Sequence, residues 1–135
     1  MKLLQTLTLK SSYEEVEKVE GLLNDLQSEL GFSDEFYARL MLAVSEAATN
    51  GIVHGNQLDE TKSVKISAFQ DGDLLIFETS DEGDGFDPEK LPDPLADENL
   101  LKTSGRGVFL MEEYADAVEF SDGGTTLSLK FNLVG

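Results

Sequence analysis

A carboxylate and an amide stand one helical turn apart in the otherwise apolar stretch of residues 41–56, which reads MLAVSEAATNGIVHGN. Glu46 and Asn50 are four residues apart, so they share one face of the predicted helix. Polar side chains in a buried helix are costly unless they are hydrogen-bonded. Glu can serve as a general base, and the carbonyl oxygen of Asn suits a hard cation. The stretch predicts either two polar groups that are satisfied inside the core or a pocket for magnesium and phosphate.

An acidic, glycine-rich segment follows a predicted strand at residues 81–87, which read DEGDGFD. Gly83 and Gly85 stand at alternate positions, where the lack of a side chain lets the backbone approach a flat ligand. The carboxylate of Asp81 could accept a hydrogen bond from an exocyclic amine, such as that of adenine. The alternative is an acidic surface turn. A calcium loop of the EF-hand kind is excluded, because no Glu closes it at the required position.

A second glycine cluster stands at residues 104–107, which read SGRG and precede a predicted short helix over residues 108–114. Amide groups at the start of a helix bind anions, and glycines let a phosphate come close. Arg106 is one of two arginines in the chain, and Lys102 lies just before the cluster. The pattern favours a phosphate site over a loop end that carries a surface cation. It matches neither a P-loop nor a complete dinucleotide-binding motif.

Hydrophobic spacing predicts a strand over residues 3–9, a first helix, and then the central helix that carries Glu46 and Asn50. Ser12 and Glu15 form a predicted capping box at the start of the first helix, and Gly31 ends that helix. Ser33 is expected to cap the second, central helix. The central helix is apolar on nearly every side, which predicts that it is buried.

After residue 56 the sequence alternates between apolar and polar residues, as strands do. We expect a two-residue hairpin turn at Asp71–Gly72 and a long loop over residues 87–104, and such loops are usually functional. The predicted strands cover residues 64–68, 74–79, 117–120 and 127–133. The order of elements predicts one domain, residues 1–135, with an α/β (α+β) two-layer sandwich. Its mostly antiparallel mixed sheet carries the helices on one face.

The chain is strongly acidic, with 27 Asp and Glu against 10 Lys and Arg and a formal net charge of −17. Binding a nucleic-acid backbone needs clustered cations, so we expect no direct nucleic-acid partner, whereas a basic protein partner is compatible. The chain has no Cys, and His54 is its only His, so the usual zinc sites are excluded. His54 is expected either to have a structural role at the helix end or to lie at a pocket rim. With no signal peptide and no membrane-spanning stretch, we expect a soluble, cytoplasmic protein.

The motifs and their order resemble the GHKL (Bergerat) superfamily of ATP-binding proteins, and the resemblance extends from about Tyr13 to Leu133. Within that superfamily the chain most resembles the stand-alone bacterial anti-sigma-factor serine/threonine kinases. The motifs that carry this resemblance are SEAATNGIVHGN, DEGDGFD and SGRGVFLM. The resemblance implies the Bergerat ATP-binding fold, with ATP and Mg²⁺ as the ligands.

The resemblance also implies roles for individual residues. Glu46 would be the general base that takes the proton from an attacking hydroxyl, and Asn50 would hold Mg²⁺ together with the phosphates. Asp81 would receive the adenine amino group, and residues 87–104 would form a lid over the phosphates. The implied ATP-binding residues are Asn50, Asp81, Gly83, Gly85, Lys102, Ser104, Gly105, Arg106, Gly107 and Thr125. Gly51 departs from the Ala that the family leads us to expect.

The function implied by the resemblance is phosphorylation of a small STAS-type anti-anti-sigma partner on a hydroxyl group. The same protein would sequester a sigma factor and would form a homodimer. One alternative is a nucleotide-dependent protein-binding regulator with little kinase turnover. Another is the ATP-binding half of a split histidine kinase, although such domains usually carry an upstream pair of dimerisation helices that this sequence lacks.

Overall fold

The computed structural model describes residues 1–83, 111, 113–121 and 125–133. The strands are β1 (Lys2–Lys10), β2 (Ser63–Asp71), β3 (Leu74–Ser80), β4 (Ala117–Ser121) and β5 (Thr126–Asn132), and the α-helices are α1 (Lys18–Leu30) and α2 (Asp34–Thr49). A 3₁₀ turn, Tyr13–Glu17, precedes α1, and a π-helical turn, Asn50–Gly55, continues α2. Part of the predicted short helix is described, and it is helical at Met111, Glu113 and Tyr114. None of the described helices has the length and hydropathy needed to cross a bilayer.

The five described strands form one sheet in the order β1-β2-β3-β5-β4, and each of these pairings is antiparallel. Asp71 pairs with Leu74, so the turn between β2 and β3 consists of Gly72 and Asp73. Gly72 has a φ of 59°, in the left-handed region that favours glycine at the first central position of such a turn. The predicted turn at Asp71–Gly72 was therefore one residue too early.

The helices pack on the sheet and enclose a continuous apolar core. Phe36 of α2 contacts Phe131 of β5 with ring centroids 6.2 Å apart, and Phe131 contacts Phe77 of β3 at 5.9 Å. The core draws residues from both layers, including Leu22, Leu23, Leu26, Leu40, Val44, Val64, Ile66, Leu75, Leu127 and Leu129. The predicted two-layer α+β sandwich is confirmed, and burial of these side chains is its main source of stability.

The ends of the two helices follow the sequence signals with one exception. Gly31 ends α1 with a φ of 72°, and the side chain of Ser33 caps α2 by accepting a hydrogen bond from the Phe36 N–H at 3.1 Å. The predicted capping box is wrong, because the side chain of Ser12 makes no capping hydrogen bond. The carboxylate of Glu15 instead accepts from the Lys10 N–H at 2.9 Å, at the end of β1.

The apolar composition of helix α2 predicted that it is buried on nearly every side. The structure shows instead that one of its faces is exposed. Leu42 is 50% exposed, while Ala43, Val44, Ala47 and Ala48 are fully or almost fully buried. Glu46 and Asn50 are half-buried rather than enclosed in the core. One face of α2 therefore covers the sheet, and the face with Leu42, Glu46 and Asn50 borders solvent.

Candidate functional site

The site begins where α2 widens into the π-helical turn Asn50–Gly55. The Asn56 N–H donates to the carbonyl oxygen of Gly51 at 2.8 Å, a hydrogen bond between residues five apart. Insertions of this kind in an α-helix are frequent at functional sites. They change the direction in which the following side chains and glycines point.

Glu46 lies in the last turn of α2, and Asn50 begins the wider turn. Both side chains are half-buried, and no described group forms a hydrogen bond with either of them. Of the two alternatives that the sequence left open, internal satisfaction of the pair is not observed in the described part of the chain. As far as the described residues go, a carboxylate and an amide oxygen are therefore available on one helix face to a ligand or to solvent.

Asp81 directly follows β3 and stands at the centre of the site. Its backbone N–H donates to the carbonyl oxygen of Thr125 at 3.0 Å, which places Thr125 beside it. Its Oδ1 accepts from the Gly83 N–H at 2.8 Å. Burial raises the pKa of the Asp81 carboxyl above its ordinary value, and the Gly83 N–H and the charge of Lys62 oppose that rise. A partly desolvated carboxylate of this kind gains from a further hydrogen-bond donor.

Two glycines, Gly55 and Gly83, allow the helix end and the Asp81 loop to touch. A Cβ atom at Gly55 would overlap the Asp81 carboxylate, and a Cβ atom at Gly83 would overlap the carbonyl oxygen of Gly55. At Gly51 a Cβ atom would lie 3.0 Å from Val64 Cγ2 and 3.6 Å from Asp81 Cβ. The departure from Ala at Gly51 thus leaves room for Val64, whereas the 3.6 Å distance to Asp81 is an ordinary van der Waals contact. These contacts join the helix motif and the acidic motif into one site.

Two buried hydroxyl groups near these motifs have no hydrogen-bond partner among the described residues. They are Thr79 Oγ1, in a residue that is only 5% exposed, and Ser45 Oγ. Thr79 is two residues before Asp81 in the chain and is the last residue but one of β3. An unpaired buried hydroxyl costs about 1–3 kcal/mol, which a ligand that supplies the missing partner would recover. Sequence reasoning missed both residues, because neither breaks the apolar pattern strongly.

Sequence reasoning also missed Asn56, which is only 1% exposed. Its Nδ2 donates to Ser11 Oγ at 2.9 Å and to the Ser63 carbonyl oxygen at 3.0 Å. Its Oδ1 accepts from the Glu82 N–H at 2.7 Å. One side chain therefore connects the end of the π-helical turn with β2 and with the Asp81 loop. The only signal in the sequence was a second Asn at the end of the helix motif.

His54 lies at the surface of the π-helical turn. No described group forms a hydrogen bond with its side chain, and both roles expected for His54 stay predictions. Desolvation by nearby protein atoms lowers the pKa of His54 below its ordinary value, which keeps the imidazole neutral at pH 7.

Several of the predicted site residues lie outside the described residues, and their roles stay predictions. They are Gly85, Lys102, Ser104, Gly105, Arg106 and Gly107, together with the predicted lid over residues 87–104. The described structure brings together Asp81, Gly83 and Thr125, and it joins them to the helix that carries Glu46 and Asn50.

The chemistry of the described groups fits a nucleotide better than a free metal ion. In the described ranges no three His, Cys, Asp or Glu side chains are placed to hold a metal. Asn50 would therefore hold Mg²⁺ only together with oxygen atoms from a bound ligand, which is how Mg²⁺ is usually held beside phosphates. The half-buried carboxylate of Asp81 can accept a hydrogen bond from a donor on the polar edge of a base.

Comparison with known proteins places the chain in a family. The family model of the histidine kinase-like ATPase domain matches residues 9–131. The chain is 34% identical to the serine-protein kinase RsbW of Bacillus licheniformis, over 79% of this chain and 71% of that protein. It is 29% identical to RsbW of Listeria monocytogenes serovar 1/2a, over 93% of this chain and 85% of that protein. The anti-sigma F factor of Clostridium perfringens is 38% identical, over 65% of this chain and 66% of that protein.

A solved structure agrees at the level of the fold. The crystal structure of the RsbU and RsbW domains of Rv1364c from Mycobacterium tuberculosis superposes with a TM-score of 0.67 at 16% identity. The match covers 95% of this chain and 31% of that one, so this chain spans about a third of it. On the family match and on the similarity to RsbW, the chain belongs to the histidine kinase-like ATPase domain family and, within it, to the relatives of the RsbW serine-protein kinases.

Proposed function

We propose that the protein is an ATP-dependent protein serine/threonine kinase that acts as an anti-sigma factor. The observation that carries this proposal is the close contact between Gly55 and Asp81, which joins the Glu46–Asn50 helix to the acidic loop. The names of its relatives, serine-protein kinase and anti-sigma F factor, support the same function. The protein substrate in this proposal is a STAS-type anti-anti-sigma protein, and the protein also sequesters a sigma factor and forms a homodimer.

Asp81 recognises the base. Its carboxylate accepts a hydrogen bond from the exocyclic amine of adenine, which compensates the partial burial that raises its pKa. Guanine presents a carbonyl oxygen at the same position, and two acceptors that face each other repel. A site built around a hydrogen bond rejects a ligand that lacks the donor strongly, by about a hundredfold or more.

Glu46 and Asn50 act at the other end of the nucleotide. Asn50 holds Mg²⁺ together with the phosphates, and Mg²⁺ offsets the negative charge of the phosphates when it is bound. Glu46 takes the proton from the hydroxyl of the protein substrate as that oxygen bonds to the γ-phosphorus and ADP leaves. A general base of this kind contributes about 10²–10⁴-fold to the rate. The remaining phosphate contacts in this proposal come from Lys102, Ser104 and residues 105–107.

Nucleotide binding can be tested with a matched pair of acidic residues. Asp81→Asn should weaken the binding of Mg-ATP at least about tenfold, because an amide in that place presents a donor to the adenine amine. Asp73→Asn is the control, since Asp73 is exposed in the turn between β2 and β3. Isothermal titration calorimetry measures both variants. Equal affinity in the two variants would contradict the assignment of Asp81.

The protein partners can be tested in the host. The protein is captured with Mg-ADP and with Mg-ATP, and the proteins that co-purify are identified by mass spectrometry together with their phosphosites. The proposal predicts a STAS-type protein that is phosphorylated on Ser or Thr. Partners without any new phosphosite would favour a nucleotide-dependent regulator with little turnover. Acid-labile phosphohistidine would favour the split histidine kinase.

A further inference from the structure

We infer that Asn56 is a positioning residue for the nucleotide base: it fixes the Asp81 loop against the helix end and so sets the preference for adenine over guanine. This inference rests on the proposed function, because it concerns the same nucleotide site.

The hydrogen bonds of Asn56 use most of what an amide side chain offers. The two N–H groups of Nδ2 donate to Ser11 Oγ and to the carbonyl oxygen of Ser63, and Oδ1 accepts from the Glu82 N–H. Ser11 in turn donates to the carbonyl oxygen of Lys62 at 2.7 Å. Asn56 is almost fully buried, so each lost bond would leave a desolvated polar group. Only a side chain with two donors and one acceptor satisfies all three partners.

The position of Asn56 in the chain gives these bonds a consequence for the site. Asn56 follows Gly55, whose backbone lies against the Asp81 carboxylate, and Glu82 follows Asp81. The hydrogen bond from the Glu82 N–H to Asn56 Oδ1 therefore lies directly beside the contact between Gly55 and Asp81. It fixes how far the Asp81 carboxylate stands from the helix end.

The Asp81 loop has one other backbone attachment among the described residues. The Asp81 N–H donates to the carbonyl oxygen of Thr125, which ties the loop to the segment before β5. The Glu82 carboxylate also accepts from the Ser63 N–H, but through a flexible and exposed side chain. Without Asn56 the loop would stay attached to the β5 side and lose its short, buried attachment to the helix end. Asp81 could then shift away from Gly55.

A shift of this kind should change base selection more than overall folding. Hydrogen-bond recognition depends steeply on the distance and angle between donor and acceptor. A displaced Asp81 carboxylate would bind the adenine amine less well and would repel the guanine carbonyl less strongly. The ratio of ATP affinity to GTP affinity is therefore the quantity that Asn56 should control.

The test measures the binding of Mg-ATP and Mg-GTP to the full chain by isothermal titration calorimetry. The unmutated protein should prefer ATP by about a hundredfold or more. In Asn56→Ala the ratio should fall at least about tenfold, which corresponds to about 1.4 kcal/mol. Asn56→Asp keeps an oxygen for the Glu82 N–H, so it should preserve the preference better than Asn56→Ala does, although its melting temperature should fall.

Ser11→Ala is the matched control. It removes the hydrogen bonds of Ser11 to Asn56 and Lys62 but leaves the bond between Asn56 and Glu82 in place. Its melting temperature should fall, while its ATP to GTP ratio stays within about twofold of the unmutated value. If Ser11→Ala and Asn56→Ala lower the ratio equally, or if neither does, Asn56 is a structural residue only and the inference is wrong.

A measurement on the unmutated protein decides the question if Asn56→Ala does not fold. The Glu82 N–H donates to the buried Oδ1 of Asn56, so the Glu82 amide should exchange at least about tenfold more slowly than an unprotected amide, with or without nucleotide. Exchange at the rate of an unprotected amide would overturn the inference. Failure of the unmutated protein to bind either nucleotide would instead overturn the proposed function.

Discussion

The carboxylate of Asp81 lies against the backbone of Gly55, so closely that a single methyl group could not be inserted between them. Residues in a helix motif and in a loop motif, far apart in the sequence, thereby form one site. The contact depends on the absence of a side chain at Gly55, and it explains why the π-helical turn ends in glycine. Substitutions there should act on the position of Asp81.

Gly55→Ala should weaken ATP binding at least about tenfold and lower stability by about 1–3 kcal/mol, the usual cost of overpacking. The new Cβ would overlap the Asp81 carboxylate and displace it. Gly21→Ala is the control. Gly21 lies within helix α1, and a Cβ atom there would meet no atom within 4 Å. It should stabilise the protein by about 0.5–1 kcal/mol and leave ATP affinity unchanged.

Urea unfolding and calorimetry measure the two effects of these glycine substitutions separately. Unchanged ATP affinity in a folded Gly55→Ala variant would show that the contact between Gly55 and Asp81 has no part in nucleotide binding. A destabilised Gly21→Ala variant would show that the helix does not tolerate a side chain at the control position.

ATP affinity should fall as the pH is lowered below neutrality, because Asp81 must be ionised to accept from the adenine amine. Burial raises the pKa of Asp81 above its ordinary value of 3.8, so this loss should begin at a higher pH than for an exposed Asp. The same shift means that the folded protein favours the protonated form of Asp81. The stability that protonated Asp81 contributes is fully present below pH 3.8 and is lost as the pH rises through the raised pKa.

Calorimetry of ATP binding between about pH 4 and pH 7 tests this dependence. The nucleotide also titrates in this range, but its titration affects all variants equally. Asp81→Asn should remove the part of the pH dependence that belongs to the protein. His54 titrates in the same range, since its pKa is lowered from 6.5, so His54→Gln is the necessary control. If His54→Gln removes the dependence and Asp81→Asn does not, the wrong group has been assigned.

Ser33→Ala should destabilise the protein by about 1 kcal/mol, because the Ser33 side chain caps helix α2. Ser12→Ala should change stability by less than about 0.5 kcal/mol, since its side chain makes no capping hydrogen bond. Urea unfolding at neutral pH compares the two variants directly. Equal losses in both would restore the capping box that the sequence predicted and the structure lacks.

The sequence predicted the elements well where a local signal determines the local structure. Gly31 and Ser33 bound their helices as expected, because a left-handed glycine and a capping hydroxyl act within a few residues. The capping box predicted at Ser12 is wrong, because the Glu15 carboxylate accepts a hydrogen bond from the Lys10 N–H at the end of β1 instead. Apolar composition likewise could not show which side of α2 meets the sheet, and so Leu42 was expected to be buried.

The candidate site was predictable to a similar degree. Asp81 and Gly83 were identified from their motif, and the structure places them against Gly55. Asn56 was missed because its partners come from three distant segments, and only the fold brings these together. Long-range hydrogen bonds of this kind leave no periodic pattern in the sequence.

Phosphoryl transfer by Glu46→Gln tests the central claim most directly. The variant keeps the size of the side chain but loses the base, so it should bind Mg-ATP normally and transfer phosphate to the STAS-type partner about a hundredfold or more slowly. Glu29→Gln, on the exposed side of helix α1, should transfer phosphate at the unmutated rate. An unchanged transfer rate in Glu46→Gln, with ATP bound and the protein folded, would contradict the assignment of Glu46 as the base of a protein kinase.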